Sequence, residues 1–456
     1  MRHHSIRAAG AAAGLGAAVL LAVAFTAALE SRSYNVWGAM LVVPLVVLVN
    51  GLLLAHVTSR EDDPWIVRLM WLAFAAKLAA TAARYGMVYL LYGGVSDATR
   101  YSNYAAWEYL RWRSGDVTLK ALDVDGTEWL EMVTTAVFTV IGPSPLAGFF
   151  VFASFAFWGT YFFYRAFRMA LPNGDRRRYA LLVFLLPSLL FWPASIGKES
   201  WLLLFVGLTA YGAARFFAED PRGLAFLALG AAGTAVVRPH VAVLTIGAVV
   251  AAQLLRPTTK SPISILTKVV GVVVLLAGIV VLAAQSAQFL ELEETSWDAL
   301  SAEIDERSRR ATQGGSEFDA VPVRSLQEFP VAIVTVLFRP FPWEATNLQL
   351  LVQGIEGLVL LGLVIASWRR LRNLPAMLRR NPNIAFALFY VIAFAWAFSA
   401  VGNFGILARQ RVLMLPAFLV LLALPAVVPK VTRRDDQQRA TPTSGQRSVA
   451  AGVSDS

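Results

Sequence analysis

Residues 35–56 read NVWGAMLVVPLVVLVNGLLLAH, a run without a single Asp, Glu, Lys or Arg. As a helix rising 1.5 Å per residue it is about 33 Å long, enough to cross a hydrocarbon core of about 30 Å. Backbone groups in lipid must be satisfied within the segment, so the run is expected to be helical.

Working outward from this stretch, comparable runs occupy 8–29, 68–92, 144–168, 179–195, 199–217, 262–285, 345–368, 382–402 and 407–428. Two shorter runs, 223–237 and 241–255, flank Arg238-Pro239-His240. Each makes about 22 Å of helix and they are expected to meet inside the outer half of the bilayer. The fold class expected is all-α: a polytopic transmembrane helix bundle of about 12 spans over residues 1–430. The run 8–29, behind Arg2 and Arg7, resembles a signal peptide, but it is too long and lacks a clean small-x-small site, so an uncleaved first helix is expected.

The composition agrees. The chain of 456 residues is 57% hydrophobic and only 15% charged, with mean hydropathy +0.58. Soluble domains run near 45–50% apolar and about 25% charged. A soluble enzyme, a disordered chain and a disulfide scaffold are thereby excluded. The absence of cysteine removes thiolate metal sites and cysteine nucleophiles.

The net charge of +10 invites a nucleic-acid partner, but its distribution argues otherwise. Lys and Arg gather in cytoplasmic loops. With the N-terminus inside, the inner segments hold 24 basic against 9 acidic residues, a net +15, and the rest holds 16 basic against 21 acidic, a net −5. Both termini are expected in the cytoplasm of a bacterial inner-membrane protein, with no nucleic-acid partner. The polar tail 431–456 is expected to be disordered. Outer loops at about 93–143 and 286–344 each contain a short apolar piece, 129–141 and 330–341, expected as re-entrant or interfacial helices. No repeat of fixed period is visible.

Ionisable residues inside spans are costly and usually face a cavity or a partner. Five polar elements gather at the outer helix ends. The first, Ser96-Asp97-Ala98-Thr99-Arg100-Tyr101, offers a carboxylate as general base beside a phosphate-binding Arg, or simply a helix N-cap. The second holds Lys198-Glu199 after the proline-broken run 186–197. Lys at a helix start can meet an anion alongside free N–H groups, or pair with Glu199. The third, Arg238-Pro239-His240, joins two half-helices, an arrangement that often places a site within a membrane; Arg238 can also snorkel, and His240 can be an ordinary buried histidine. The fourth, Arg339-Pro-Phe-Pro-Trp-Glu344, allows an anion contact or an Arg339–Glu344 pair among interfacial aromatics. The fifth carries Arg409 and Arg411, two positions apart and so on different helix faces. Glu356, deep in its span, calls for a basic partner, with Lys77 and Arg84 as candidates.

No Walker loop, metalloprotease motif or nucleophile elbow occurs. The four histidines are too few for a histidine metal site. No metal site and no cofactor are expected, although a divalent metal beside Asp97 stays open.

These elements resemble a family. Ser96-Asp97-Ala98-x-x-Tyr101 is similar to the Asp-x-x-x-Tyr element in the first large outer loop of C-type glycosyltransferases, which use polyprenyl-phosphate sugars, and of O-antigen and exopolysaccharide polymerases. The run 186–199, Arg238-Pro-His240, Arg339–Glu344 and Arg409-Gln-Arg411 resemble surface-polysaccharide membrane proteins of bacteria. The resemblance implies transfer or polymerisation of lipid-linked sugars at the outer face. Asp97 would be the base, and Lys198 with the arginines would hold a phosphate or pyrophosphate leaving group. The rivals are a transporter or flippase of lipid-linked sugars and a non-catalytic assembly subunit.

Overall fold

The computed structural model describes residues 33–117, 126–256 and 327–426, with 316–318, 323, 325 and the isolated positions 26, 30, 269, 273 and 276. The expected spans 8–29 and 262–285, the first part of the expected loop 286–344 and the tail 431–456 lie almost wholly outside the described residues.

The run that opened the sequence analysis is helix α1, Tyr34–Thr58. Leu41, Leu45, Leu48 and Leu52 lie along one exposed side of it, at the spacing of one helix face. Its inward face carries Asn50, whose Oδ1 accepts from Trp158 Nε1 at 2.8 Å. Apolar outside and selectively polar inside is the pattern of a helix solvated by lipid rather than water. A turn capped by Asp63, which accepts from Trp65 N at 3.0 Å, leads through Pro64 at the first helical position into α2, Pro64–Gly86, continued by a π-helical turn Met87–Leu91.

Two helices follow within the stretch expected as the first outer loop: α3, Asp97–Arg113, and α4, Gly126–Ile141, packed on one another. Next come α5, Pro145–Ala170, and, after α6, Arg176–Leu185, and α7, Pro187–Phe191, the helix α8, Lys198–Phe217. Glycines let α5 and α8 approach closely. A Cβ on Gly207 would meet the Gly159 carbonyl oxygen at 2.4 Å, the small-residue contact that substitutes for hydrophobic drive between helices in lipid.

The expected span 179–195 is not one helix. It divides into α6, Arg176–Leu185, and the short α7, Pro187–Phe191. Leu186, extended at φ −60, ψ 126, precedes a proline, whose ring disfavours a helical conformation there. The freed polar groups of α7 are taken up by buried charges of matching sign. Glu356 Oε2 accepts from Ser188 N at 2.7 Å at its start. Lys77 Nζ donates to the carbonyls of Leu189 and Leu190 at 3.1 and 3.0 Å at its end. The expected pairing of Glu356 with Lys77 or Arg84 is therefore replaced: the carboxylate and the ammonium bracket the same broken helix, and Arg84 lies over the rings of Phe191 and Trp192 at 4.9 and 5.0 Å.

The half-helices are α9, Arg222–Ala235, and α10, Pro239–Leu255. The chain continues through α11, Phe329–Phe338, and α12, Leu348–Ala366. Two short turns, α13 at Trp368–Leu371 and α14 at Leu374–Leu378, lead to α15, Pro382–Ala397. The expected span 407–428 is a bent pair, α16 Phe404–Arg411 and α17 Leu415–Leu422, meeting at 65°.

Among the described residues the architecture is all-helical. Five helices (α1, α2 with its π turn, α5, α8 and α12) are long and apolar enough to cross a membrane, or six spans if the bent pair counts as one. Twelve were expected. The difference lies partly outside the described residues and partly in α9, α10, α11 and α15, which are apolar but shorter.

Candidate functional site

At one end of the bundle the first residues of five helices line two adjoining cavities: α3, α8, α10, α12 and α16. Each helix start carries partial positive charge. The starts of α3, α12 and α16 are capped by Ser96, Asn347 and Asn403, which accept from Thr99 N, Leu350 N and Ile406 N. Those of α8 and α10, at Gly197 and Arg238, carry no side-chain cap.

The larger cavity, about 520 Å³, is lined by Arg84, Asp97, Trp192, Glu199, Asn347 and Arg409 among others. The smaller, about 230 Å³, is lined by Asp97, Arg100, Tyr101, Thr127, Lys198, Arg238, Ile406, Arg409 and Gln410. Asp97, Ile406 and Arg409 belong to both walls.

A chain of charges ties the helix starts together. Arg409 Nη2 donates to Asp97 Oδ2 at 3.0 Å and to Glu199 Oε1 at 3.1 Å. Arg238 Nη2 lies 3.6 Å from the same Glu199 oxygen, and Arg238 also donates to Gln410 Oε1. The Glu199 side chain is 5% exposed and that of Asp97 58%. Glu199 is thus an internal counter-charge for two guanidiniums, whereas Asp97 faces the cavities with room to exchange partners.

Around this chain, Lys198 Nζ donates to Thr127 Oγ1 at 2.9 Å. Arg100 Nε donates to the buried Glu131 at 3.2 Å. Tyr101 sits on α3 beside Asp97. Burial, with the Asp97 and Glu199 carboxylates adding to it, holds its phenol above the ordinary value, so it stays a neutral hydrogen-bond donor.

The structure brings together Asp97, Arg100, Tyr101, Lys198, Glu199, Arg238 and Arg409. It does not bring the other expected site residues to these walls. Arg411, fully buried, donates to the carbonyls of Leu337 and Arg339 at 3.3 and 2.9 Å and to Gln353 Oε1 at 2.9 Å. Arg339 pairs with Glu344 at 2.9 Å and lies over Phe318 and Phe404 at 4.6 and 5.1 Å. His240 sits with its ring 6.1 Å from that of Phe398. Arg84, Trp192, Thr127, Asn347 and Gln410 line the cavities although the sequence did not mark them as site residues. Arg84 alone had a visible signal, a guanidinium inside an apolar run.

Chemically, this arrangement can hold an anion. Five cations line the two cavities, against the carboxylates of Asp97 and Glu199 on their walls. Among the described residues no three His, Asp or Glu side chains gather as metal ligands. No family model, curated protein or solved structure matches the chain.

Proposed function

We propose that this protein is an integral membrane glycosyltransferase or polysaccharide polymerase acting on polyprenyl-phosphate- or pyrophosphate-linked sugars at the outer face of a bacterial inner membrane. With it goes a topology of about twelve spans and two cytoplasmic termini. The observation that carries the proposal is the meeting of one exposed carboxylate, Asp97, with an excess of cations at a junction of helix starts.

In the proposed reaction an acceptor hydroxyl oxygen bonds to the anomeric carbon of the donor sugar while that carbon's bond to the phosphate oxygen breaks. The hydroxyl proton passes to Asp97. The electron pair leaves on the phosphate, where Lys198, Arg238 and Arg409 stabilise it by fixed charge. Binding of the phosphate to Arg409 competes with the Asp97–Arg409 pair, freeing the carboxylate when it is needed as base.

A transporter or flippase of the same lipid-linked sugar is the alternative. It is favoured by the half-helices meeting at Arg238-Pro239 and by the 65° bend between α16 and α17. Proteoliposomes holding the purified protein and a lipid-linked sugar donor separate the two. The proposal expects covalent extension of the product. Movement of unaltered substrate across the bilayer supports the flippase instead.

A further inference from the structure

We infer that the larger cavity opens sideways to lipid between the π turn that ends α2 and the start of α12. Through this mouth it takes an anionic long-chain lipid. The phosphate bonds Arg84, the chain lies on the apolar rim outside, and the Tyr92–Gln349 hydrogen bond is the latch across the opening. The inference rests on the proposed function for the identity of that lipid, a polyprenyl phosphate or pyrophosphate.

The broken span leaves the room. α7 is held between α2 and α12: Lys77 of α2 bonds the carbonyls at its end, and Glu356 of α12 bonds the Ser188 N–H at its start. α6 and α7, of ten and five residues, make about 22 Å of helix at 1.5 Å per residue. That is short of a hydrocarbon core of about 30 Å. Beyond Phe191 the chain runs without helix to Lys198, and Trp192, Ser195, Ile196 and Gly197 of this stretch line the larger cavity. Non-helical backbone at membrane depth is tolerated where it lines a cavity.

The two helices beside this gap carry apolar side chains turned outward. Leu90, Leu91 and Val95 are 84, 74 and 83% exposed, and Leu348, the first residue of α12, is 76% exposed. Tyr92 and Val95 also line the cavity, as do Asn347 and Gln349 at the start of α12. The rim of a polar cavity is thus continuous with a surface suited to lipid. Tyr92 Oη donates to Gln349 Oε1 at 2.8 Å. Among the described residues this is the one hydrogen bond that joins residues 87–95 to the start of α12. A π-helical turn and two left-handed glycines, Gly93 and Gly94 at φ 58 and 82, flank Tyr92, so the latch sits where the regular helix has already ended.

Arg84 supplies the charge that selects the lipid. It lies two turns before Tyr92 in the span Pro64–Leu91 and lines the cavity. The rings of Phe191 and Trp192 fix the guanidinium, but they offer no acceptor to the N–H groups in its plane. Its Nε is buried without a partner, and no hydrogen bond or ion pair reaches the guanidinium from the described residues. The carboxylates of this cavity are engaged elsewhere: Asp97 and Glu199 both bond Arg409, and Glu199 also lies beside Arg238. A guanidinium inside a span is costly unless an anion meets it, and phosphate matches its fork of donors. Arg409 belongs to the same wall, so a phosphate on Arg84 shares a cavity with the Asp97–Arg409 pair.

Photo-crosslinking of the purified full chain in nanodiscs tests the mouth. Leu90, Leu348 and, as a control, Leu45 on the exposed side of α1 are replaced one at a time by a benzophenone-bearing residue. The probe is a radiolabelled polyprenyl phosphate. Labelling at Leu90 and Leu348 is expected to saturate and to be displaced by unlabelled polyprenyl phosphate but not by the neutral polyprenol. Labelling at Leu45 is expected to rise in proportion to the probe. Arg84→Gln is expected to raise the half-saturating concentration about tenfold or more, the loss of a charge-assisted bond. Tyr92→Phe keeps the ring and removes the latch. It is expected to speed labelling about two- to tenfold, the effect of one neutral hydrogen bond, and it carries the test if Arg84→Gln fails to fold. Rim labelling that does not saturate, that the polyprenol displaces equally well, or that is unchanged in folded Arg84→Gln or in Tyr92→Phe overturns the inference. Saturable rim labelling in a protein that forms no glycosidic bond upholds the mouth and counts against the transferase alone. Transfer activity without saturable rim labelling leaves the transferase standing and removes the mouth.

Discussion

Arg409 donates to Glu199 across 210 residues of chain, Nη2 to Oε1 at 3.1 Å, and through the same nitrogen it reaches Asp97 Oδ2 at 3.0 Å. One guanidinium therefore joins a buried carboxylate, which fixes its position, to an exposed one that can exchange. The account places structural anchoring on Glu199 and proton transfer on Asp97.

Replacing Glu199 by Gln is expected to be strongly destabilising. It removes the buried counter-charge of Arg238 and Arg409. Breaking a buried pair costs about 3–5 kcal/mol, and the lower end applies because the Arg409 side chain is 31% exposed. Thermal unfolding in detergent is expected to show a lower Tm for Glu199→Gln and partial recovery in Glu199→Asp. An unchanged Tm in Glu199→Gln contradicts the anchoring role.

Arg411 is expected to act through folding rather than ligand affinity. It is fully buried and bonds two carbonyls and Gln353. Lysine lacks the planar fork of donors, so Arg411→Lys is expected to lower stability by about 1–3 kcal/mol, the range for a buried polar partner left unsatisfied. Pyrophosphate affinity of the folded fraction is expected to stay at the wild-type level. A stable Arg411→Lys protein with weakened pyrophosphate binding refutes this division.

Acid is expected to loosen the turn at Phe341–Glu344. Burial raises the Glu344 carboxyl, but hydrogen bonds from Arg339 and the Phe341 N–H, with the Arg339 charge, outweigh it and hold the group below its ordinary 4.5. A carboxyl depressed in the folded state contributes stability that is present above its unfolded value and lost as pH falls through the folded one. Trp343, stacked on Phe341 at 4.9 Å, reports the turn. Its emission, isolated by subtracting Trp343→Phe, is expected to hold constant from pH 7 to about 5 and to change below 4.5. In Glu344→Gln the change is expected at every pH. A transition only above pH 7 contradicts the assignment.

The long spans were legible because a charge-free run is a local property: the expectations at 35–56, 68–92, 144–168, 199–217 and 345–368 correspond to α1, α2, α5, α8 and α12. The division at Leu186-Pro187 was visible as a proline, but its outcome depends on Glu356 and Lys77 arriving from other helices to satisfy the freed groups. The candidate site divides likewise. Asp97, Lys198, Arg238 and Arg409 could be picked out as charges at helix starts. Their meeting, through one buried glutamate, joins helices far apart in sequence. Arg339, Glu344 and His240 have similar residue types and sequence settings, yet other contacts occupy them: Arg339 and Glu344 pair locally, and the rings of Phe318, Phe404 and Phe398 reach Arg339 and His240 from distant segments. Arg409 and Arg411 show how fine the distinction is: two positions on one helix separate a cavity wall from the core.

The most direct test of the central claim is the stoichiometry of lipid phosphate released per glycosidic bond formed in proteoliposomes, compared between the wild type and Asp97→Asn. The account predicts one polyprenyl phosphate or pyrophosphate released for each sugar joined. In Asp97→Asn both are expected to fall together by about 10²–10⁴-fold, the usual contribution of a general base, with Tm unchanged within experimental scatter. Sugar lipid that disappears from one leaflet with no phosphate released, at equal rates in the two proteins, contradicts it.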